Sequence, residues 1–96
     1  MSASTPEGKV KIKVKKILEE IGAYYFLPVS GGYGDAGVPD FIVCWRGEFV
    51  GIECKAGDNK PTALQLWNLG EIRRCGGRAM VVNENNVAEL RKELES

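Results

Sequence analysis

Three residues in the middle of the chain, Asp40, Glu53 and Lys55, have the types and the spacing of a metal-binding site. The dipeptide Arg46-Gly47 separates two apolar runs and predicts a hairpin turn, which would place Asp40 directly opposite Glu53. Side chains alternate along a strand, so Lys55 would share a face with Glu53. Two opposed carboxylates about 5 Å apart repel each other unless one is protonated or a cation bridges them, and a divalent cation is the simplest bridge.

An ordinary surface ion pair between Glu53 and Lys55 is the alternative, in which Asp40 merely follows the turn-forming Pro39. Two features favour the metal site. The hairpin is apolar on both faces, so acids at its end would be buried and would need a partner. Gln65 shares the inward stripe of the next predicted helix with apolar residues, which directs a polar amide towards the sheet.

The composition restricts the metal. The chain has no histidine, and its three cysteines, Cys44, Cys54 and Cys75, lack the CxxC spacing of a zinc site. The ligands would therefore be oxygen atoms, which select magnesium, manganese or calcium. Thirteen basic and thirteen acidic residues cancel, so the net charge does not indicate a polyanionic partner.

The first element that would position these residues is an amphipathic helix. Thr5 is a suitable cap for a helix with Pro6 at its first position and Glu7 in its first turn, and Gly22 would end it. Residues 9–15 also alternate as a strand would, but the capping residues and the later apolar spacing favour a helix.

The remaining pattern predicts an α/β fold. Strands are predicted at residues 24–29, 40–45, 48–55 and 78–83, and a helix at residues 61–75. Asn86 and Glu89 resemble a capping box that opens a last helix. The order helix, three strands, helix, strand, helix predicts one central mixed β-sheet flanked by α-helices.

The 96 residues suffice for one domain, which we place at residues 6–96 after a flexible N-terminus at residues 1–5. No apolar run is long enough to cross a bilayer, and the first residues lack the apolar core of a signal peptide. We therefore expect a soluble, cytoplasmic protein that does not contact a membrane.

The order of Pro39-Asp40, Glu53-Cys54-Lys55 and Gln65 resembles the PD-(D/E)xK nuclease superfamily, with its restriction-endonuclease-like core. It is most similar to the VRR-NUC family, the virus-type replication-repair nuclease domain, and the resemblance covers residues 7–94. The separate motifs are weak, but their order is fairly specific.

This resemblance implies roles for particular residues. Asp40 and Glu53 match metal ligands for Mg²⁺ or Mn²⁺, together with the backbone carbonyl of Cys54. Lys55 matches the residue that orients and deprotonates the attacking water, and Gln65 a residue that holds water or substrate. Glu7 matches an acid on the first helix, for which Glu19 and Glu20 are alternatives.

The implied function is that of a metal-dependent, structure-selective DNA endonuclease in DNA repair, of a phage or bacterial type that resolves Holliday junctions. Small members of the family without helical insertions act as homodimers on branched DNA, and Trp67, which points away from the inward stripe of its helix, could lie at such an interface. The alternative is a catalytically inactive DNA-binding or assembly module with the same fold.

Other residues are candidates to contact DNA. The lysines that could hold phosphates without reading the base sequence include Lys9, Lys13, Lys16 and Lys60. Tyr33 could stack on a base. The alternatives are a solvated helix face for the lysines and a local packing role for Tyr33.

Overall fold

A computed structural model of the chain describes residues 5–29 and 37–96 and contains a four-stranded sheet with helices on both faces. The predicted α/β fold with a mixed sheet is confirmed. In chain order the elements are α1 (Pro6–Ile21), β1 (Tyr24–Phe26), β2 (Phe41–Trp45), β3 (Glu48–Cys54), α2 (Ala63–Arg74), β4 (Arg78–Val82), a 3₁₀ turn (Val87–Glu89) and α3 (Leu90–Glu95).

The sheet has the strand order β1-β2-β3-β4. The first three strands are antiparallel and β4 runs parallel to β3. The hairpin turn has positive φ at both central residues, 53° at Arg46 and 78° at Gly47, which matches the right-handed twist of the flanking strands. This turn fixes the predicted register, with Trp45 facing Glu48 and Phe41 facing Ile52.

Helix α1 begins and ends as its sequence predicts. The Thr5 hydroxyl accepts a hydrogen bond from the Gly8 amide at 2.9 Å, and Gly22 takes the left-handed conformation that ends the helix, with φ 80°. Val10, Val14 and Leu18 are buried from the helix side. The strand alternative for residues 9–15 is therefore wrong.

The two faces of the sheet carry different layers. On one face, α1 and α3 pack over Val50, Ile52 and Cys54, which form one apolar cluster with both helices. The other face carries α2, because a Cβ at Gly51 would lie 2.6 Å from Ile72 of that helix. Since side chains alternate along β3, Glu53 lies on the α2 face with Gly51.

Several details differ from the predictions. Strand β2 begins at Phe41 rather than at residue 40, β3 ends at Cys54 rather than at residue 55, and α2 spans Ala63–Arg74 within the predicted residues 61–75. Strand β1 is shorter than predicted and ends at Phe26. Asn86 does not form the predicted capping box; its side-chain oxygen accepts from the Asn83 amide at 2.8 Å and its nitrogen donates to the Val81 carbonyl at 3.1 Å. These bonds satisfy the turn after β4, and a 3₁₀ turn precedes α3 instead.

Two predictions, the flexible N-terminus at residues 1–5 and the DNA contact at Tyr33, fall wholly or almost wholly outside the described residues. Within residues 5–29 and 37–96, no helix is both long and apolar enough to cross a membrane.

Candidate active site

Asp40 lies one residue before β2 and turns its carboxylate onto the end of β3. Pro39 is buried and packs over Gly51, where a Cβ would meet the proline ring at 3.0 Å. The ladder ends at Phe41, so Asp40 is not paired with Glu53 as a further rung, as the hairpin register had suggested. Its Oδ2 instead accepts a hydrogen bond from the Cys54 amide at 2.8 Å, which fixes the carboxylate beside Glu53.

Glu53 is a buried acid with an incomplete set of partners. Its relative exposure is 2%, and Oε2 lies 3.5 Å from the Lys55 ammonium. Among the described residues, nothing hydrogen-bonds the buried Oε1 atom. Burial, reinforced by the negative charge of Asp40, raises the pKa of Glu53 to about 7, although Lys55 acts in the opposite direction.

Cys54 contributes its backbone to the site, while its side chain belongs to the core. Its amide donates to Asp40, whereas the neighbouring Lys55 amide donates to Val82 in β4. In an extended strand the N–H and C=O of one residue point to the same side, so the Cys54 carbonyl also faces the Asp40 side. Burial raises the pKa of the thiol, which packs in the apolar cluster on the other face.

Lys11 joins the acidic residues from α1. Its ammonium lies 3.5 Å from Oδ1 of Asp40 and 3.6 Å from Oε2 of Glu7. Burial alone would lower the pKa of Lys11, but the two carboxylates outweigh it and the pKa is raised. Lys11 therefore carries its charge within the cluster.

The sequence analysis did not place Lys11 at the metal site but counted it among the lysines of the first helix that could hold phosphates, although a signal for its position was present. Glu7, Lys11, Val14 and Leu18 follow the spacing i, i+4, i+7, i+11, which is one stripe of a helix. The last two are core residues, so the first two continue the same stripe to the end of the sheet.

The structure distinguishes the three acids considered on α1. Glu7 is half-buried and reaches the cluster through Lys11. Glu19 accepts a hydrogen bond from the Tyr25 hydroxyl at 3.0 Å, and Glu20 is exposed at the far end of the helix. The geometry therefore favours Glu7 as the helix acid of the site.

Gln65 lies in the first turn of α2. Its Oε1 accepts a hydrogen bond from the Thr62 amide at 2.9 Å, and the Thr62 hydroxyl accepts one from the Gln65 amide at 3.2 Å. This capping box stabilises the start of the helix. The side-chain oxygen of Gln65 thus has a structural role, and the residue lies outside the ion-pair network of the site.

The basic residues predicted to contact DNA are exposed: Lys9, Lys13, Lys16 and Lys60. At 100° per residue, the three on α1 lie on the solvent side of the helix, away from the stripe of Glu7 and Lys11. Lys60 lies in the segment between β3 and α2, five residues after Lys55.

The donor set fits a hard divalent cation held by few protein ligands. In residues 5–29 and 37–96, no three His, Cys, Asp or Glu side chains converge closely enough to bind an ion by themselves. Asp40, Glu53 and the Cys54 carbonyl offer two carboxylates and one backbone oxygen. Magnesium is commonly bound by one or two carboxylates, with water and substrate phosphate as the other ligands. The unpartnered Oε1 of Glu53 is an oxygen that such an ion would satisfy.

An open groove of about 520 Å³ gives access beside this cluster. It lies between the start of α1 and the loop after Lys55, and its lining includes Glu7, Ala56, Gly57, Asn59 and Glu84. The Glu84 carboxylate accepts a hydrogen bond from the Gly57 amide at 2.7 Å, which ties this loop to the turn after β4.

Comparison with known proteins gives matches among solved structures. Neither the protein-family models nor the curated proteins give a match. A solved structure described as "VRR_NUC domain" superposes with a TM-score of 0.79 and is 28% identical in sequence. The match covers 93% of this chain and 97% of that chain.

Proposed function

The chain is a VRR-NUC domain, and from this premise we propose that it is a metal-dependent endonuclease that hydrolyses phosphodiester bonds in branched DNA. Nuclease activity is the general function that the family implies. The proposal adds three specific points to this general function: dependence on a metal ion, DNA as the substrate, and a preference for branched DNA.

The observation that carries the proposal is the buried, incompletely paired Glu53 beside Asp40 and Lys55. A carboxylate that is removed from water and lacks partners destabilises a fold, and such groups persist mainly where function requires them. A purely structural ion pair would not need the Asp40 carboxylate at the same sheet end. The burial of Glu53, which is 2% exposed, also supports a functional site over an ordinary surface ion pair.

Each residue has a chemical task in this proposal. Asp40 and Glu53 would hold Mg²⁺ or Mn²⁺, with the Cys54 carbonyl as a further ligand. When bound, the ion supplies charge stabilisation at the phosphate and a lowered pKa for water. Lys55, oriented by Glu53 at 3.5 Å, would position the attacking water and stabilise negative charge as it develops on the phosphate oxygens.

Glu7 and Gln65 would support this centre rather than complete the metal shell. Glu7 lines the groove and contacts Lys11, so it would orient groups at the entrance to the site. The amide of Gln65, at the start of α2, would hold water or substrate at the edge of the sheet.

The proposed nucleic-acid contacts are the lysines and the tyrosine that the sequence analysis named. Lys60 would neutralise phosphates next to Lys55, and Lys9, Lys13 and Lys16 would hold a second segment of backbone along the solvent side of α1. Tyr33 would stack on an unpaired base. The preference for a four-way junction rests on the family resemblance, as does a phage or bacterial setting in DNA repair.

We also propose that the protein acts as a homodimer through the outer surface of α2. Leu64, Leu66 and Trp67 are 47%, 54% and 62% exposed on this helix. An apolar surface of this kind favours association, and two copies would present two sites to a branched substrate. Sedimentation velocity of the full chain tests this proposal: a monomer at micromolar concentration contradicts it.

Lysine 55 provides the experiment that separates a nuclease from an inactive DNA-binding module. In Lys55→Ala, cleavage of a labelled junction should fall at least about 100-fold, while binding in Ca²⁺ changes little. The matched control is Lys92→Ala, which removes an exposed lysine from α3. Binding by the parent protein without any cleavage, in Mg²⁺ or Mn²⁺, would contradict the proposed activity.

A further inference from the structure

Lys11 occupies an unusual position for a lysine on a helix. One ammonium group bridges Glu7, four residues earlier, and Asp40, which lies one residue before β2. The side chain is 24% exposed, so most of its surface is packed against the protein.

We propose that Lys11 is a built-in counter-ion of the metal site, which holds Glu7 and Asp40 together before a divalent cation binds and leaves Asp40 when the cation enters. This inference rests on the proposed function, because it concerns the same site. It assigns Lys11 a positioning role that is distinct from that of Lys55.

The two oxygens of Asp40 indicate which contact must give way. Oδ2 accepts a hydrogen bond from the Cys54 backbone amide at 2.8 Å, and Oδ1 lies 3.5 Å from Lys11. The amide is fixed within the sheet, whereas Lys11 has a flexible four-carbon stem. Lys11 is therefore the partner of Asp40 that would move if Asp40 held a cation, and the backbone bond would stay intact.

The balance of charges also indicates that Lys11 would leave Asp40 when a cation binds. Asp40 and Glu7 are near enough to Glu53 that both raise its pKa by repulsion. Lys55 compensates Glu53, and Lys11 compensates the other two acids. A divalent cation would replace the compensation that Lys11 provides and would repel its ammonium at this distance.

The cost of displacement sets the size of the effect. Partly exposed ion pairs are individually weak, and up to two are weakened when Lys11 moves. Removing the competing ammonium should therefore tighten metal binding by roughly tenfold, which corresponds to about 1.4 kcal/mol.

The test measures metal binding in the absence of DNA, so that it does not depend on cleavage. Isothermal titration with Mn²⁺ compares the full-length parent protein with Lys11→Met, which keeps the stem but removes the charge, and with Lys11→Arg, which keeps the charge. Lys15→Met, an exposed lysine one turn further along α1, is the matched control. The thermal unfolding temperature of each variant, with EDTA and with Mn²⁺, shows whether it folds and gives a second readout.

The expected results are tighter Mn²⁺ binding for Lys11→Met by roughly tenfold, near-parental binding for Lys11→Arg and Lys15→Met, and a larger metal-induced rise in unfolding temperature for Lys11→Met. Unchanged or weaker binding by Lys11→Met overturns the inference. If Lys11→Met does not fold, Lys11→Gln takes its place under the same criterion. Failure of the parent protein to bind Mn²⁺ contradicts the proposed function itself and the inference with it.

Discussion

Replacing Glu53 with glutamine should stabilise the fold, and the gain in the free energy of unfolding should depend on pH. Burial raises the pKa of Glu53 from 4.5 to about 7 in the folded chain. Because the folded pKa is the higher one, the stability associated with the protonated acid is fully present below pH 4.5. It is lost as the pH rises through about 7.

The magnitude follows from the two pKa values. At about 1.4 kcal/mol for each pH unit between them, ionised Glu53 lowers the free energy of unfolding by roughly 3 kcal/mol at pH 8.5. Glutamine has nearly the shape of the protonated acid and does not titrate. Glu53→Gln should therefore match the parent protein near pH 4.5 and be more stable by roughly 3 kcal/mol at pH 8.5, when both are studied in EDTA.

Urea unfolding followed by tryptophan fluorescence measures this difference at both pH values. The exposed Glu89 supplies the control, since Glu89→Gln should show no such dependence on pH. Addition of Mg²⁺ at pH 8.5 should stabilise the parent protein and not Glu53→Gln. An equal difference between Glu53→Gln and parent at pH 4.5 and pH 8.5 would refute the reasoning.

Three further predictions concern the same framework. The affinity for Mn²⁺ should fall up to about tenfold for each pH unit below 7, because the proton on Glu53 competes with the ion; calorimetry that finds a constant affinity between pH 5 and 7 contradicts this. Glu7→Gln should reduce junction cleavage by about tenfold or more, whereas Glu20→Gln, at the far end of α1, should leave it unchanged; equal initial rates for the two variants would reject Glu7 as the helix acid. Gly51→Ala should destabilise the fold by about 1–3 kcal/mol, because its Cβ would lie 2.6 Å from a side-chain carbon of α2. Gly70→Ala, whose Cβ would have no atom within 4 Å, should stabilise the fold by about 0.5–1 kcal/mol. Urea unfolding midpoints that shift in the same direction for both variants would contradict the packing described.

Local rules explain why much of the fold could be predicted. A two-residue turn at Arg46-Gly47 fixes the hairpin register, and this register alone brings the ends of β2 and β3 together. Thr5 and Gly22 mark the ends of α1 by hydrogen bonds that depend only on nearby residues. The candidate acids Asp40 and Glu53 could be recognised because the hairpin register brings these two strand ends together.

The rest depends on contacts between distant segments. Asp40 leaves the ladder because Pro39 packs over Gly51, and its carboxylate then reaches the Cys54 amide. Lys11 meets Asp40 only because α1 crosses the sheet at this end, which a helical pattern does not specify. Asn86 shows how two local hydrogen bonds can compete. Its side chain could have capped a helix, but in the structure it closes the turn after β4.

Cleavage of labelled four-way junction, flap, single-stranded and linear duplex DNA by the purified chain tests the central claim most directly. We predict cutting of the branched substrates in Mg²⁺ or Mn²⁺, no cutting in EDTA, and little cutting of the linear duplex. Metal-independent binding without cleavage of any substrate would contradict the nuclease assignment and would leave a DNA-binding module with the same fold.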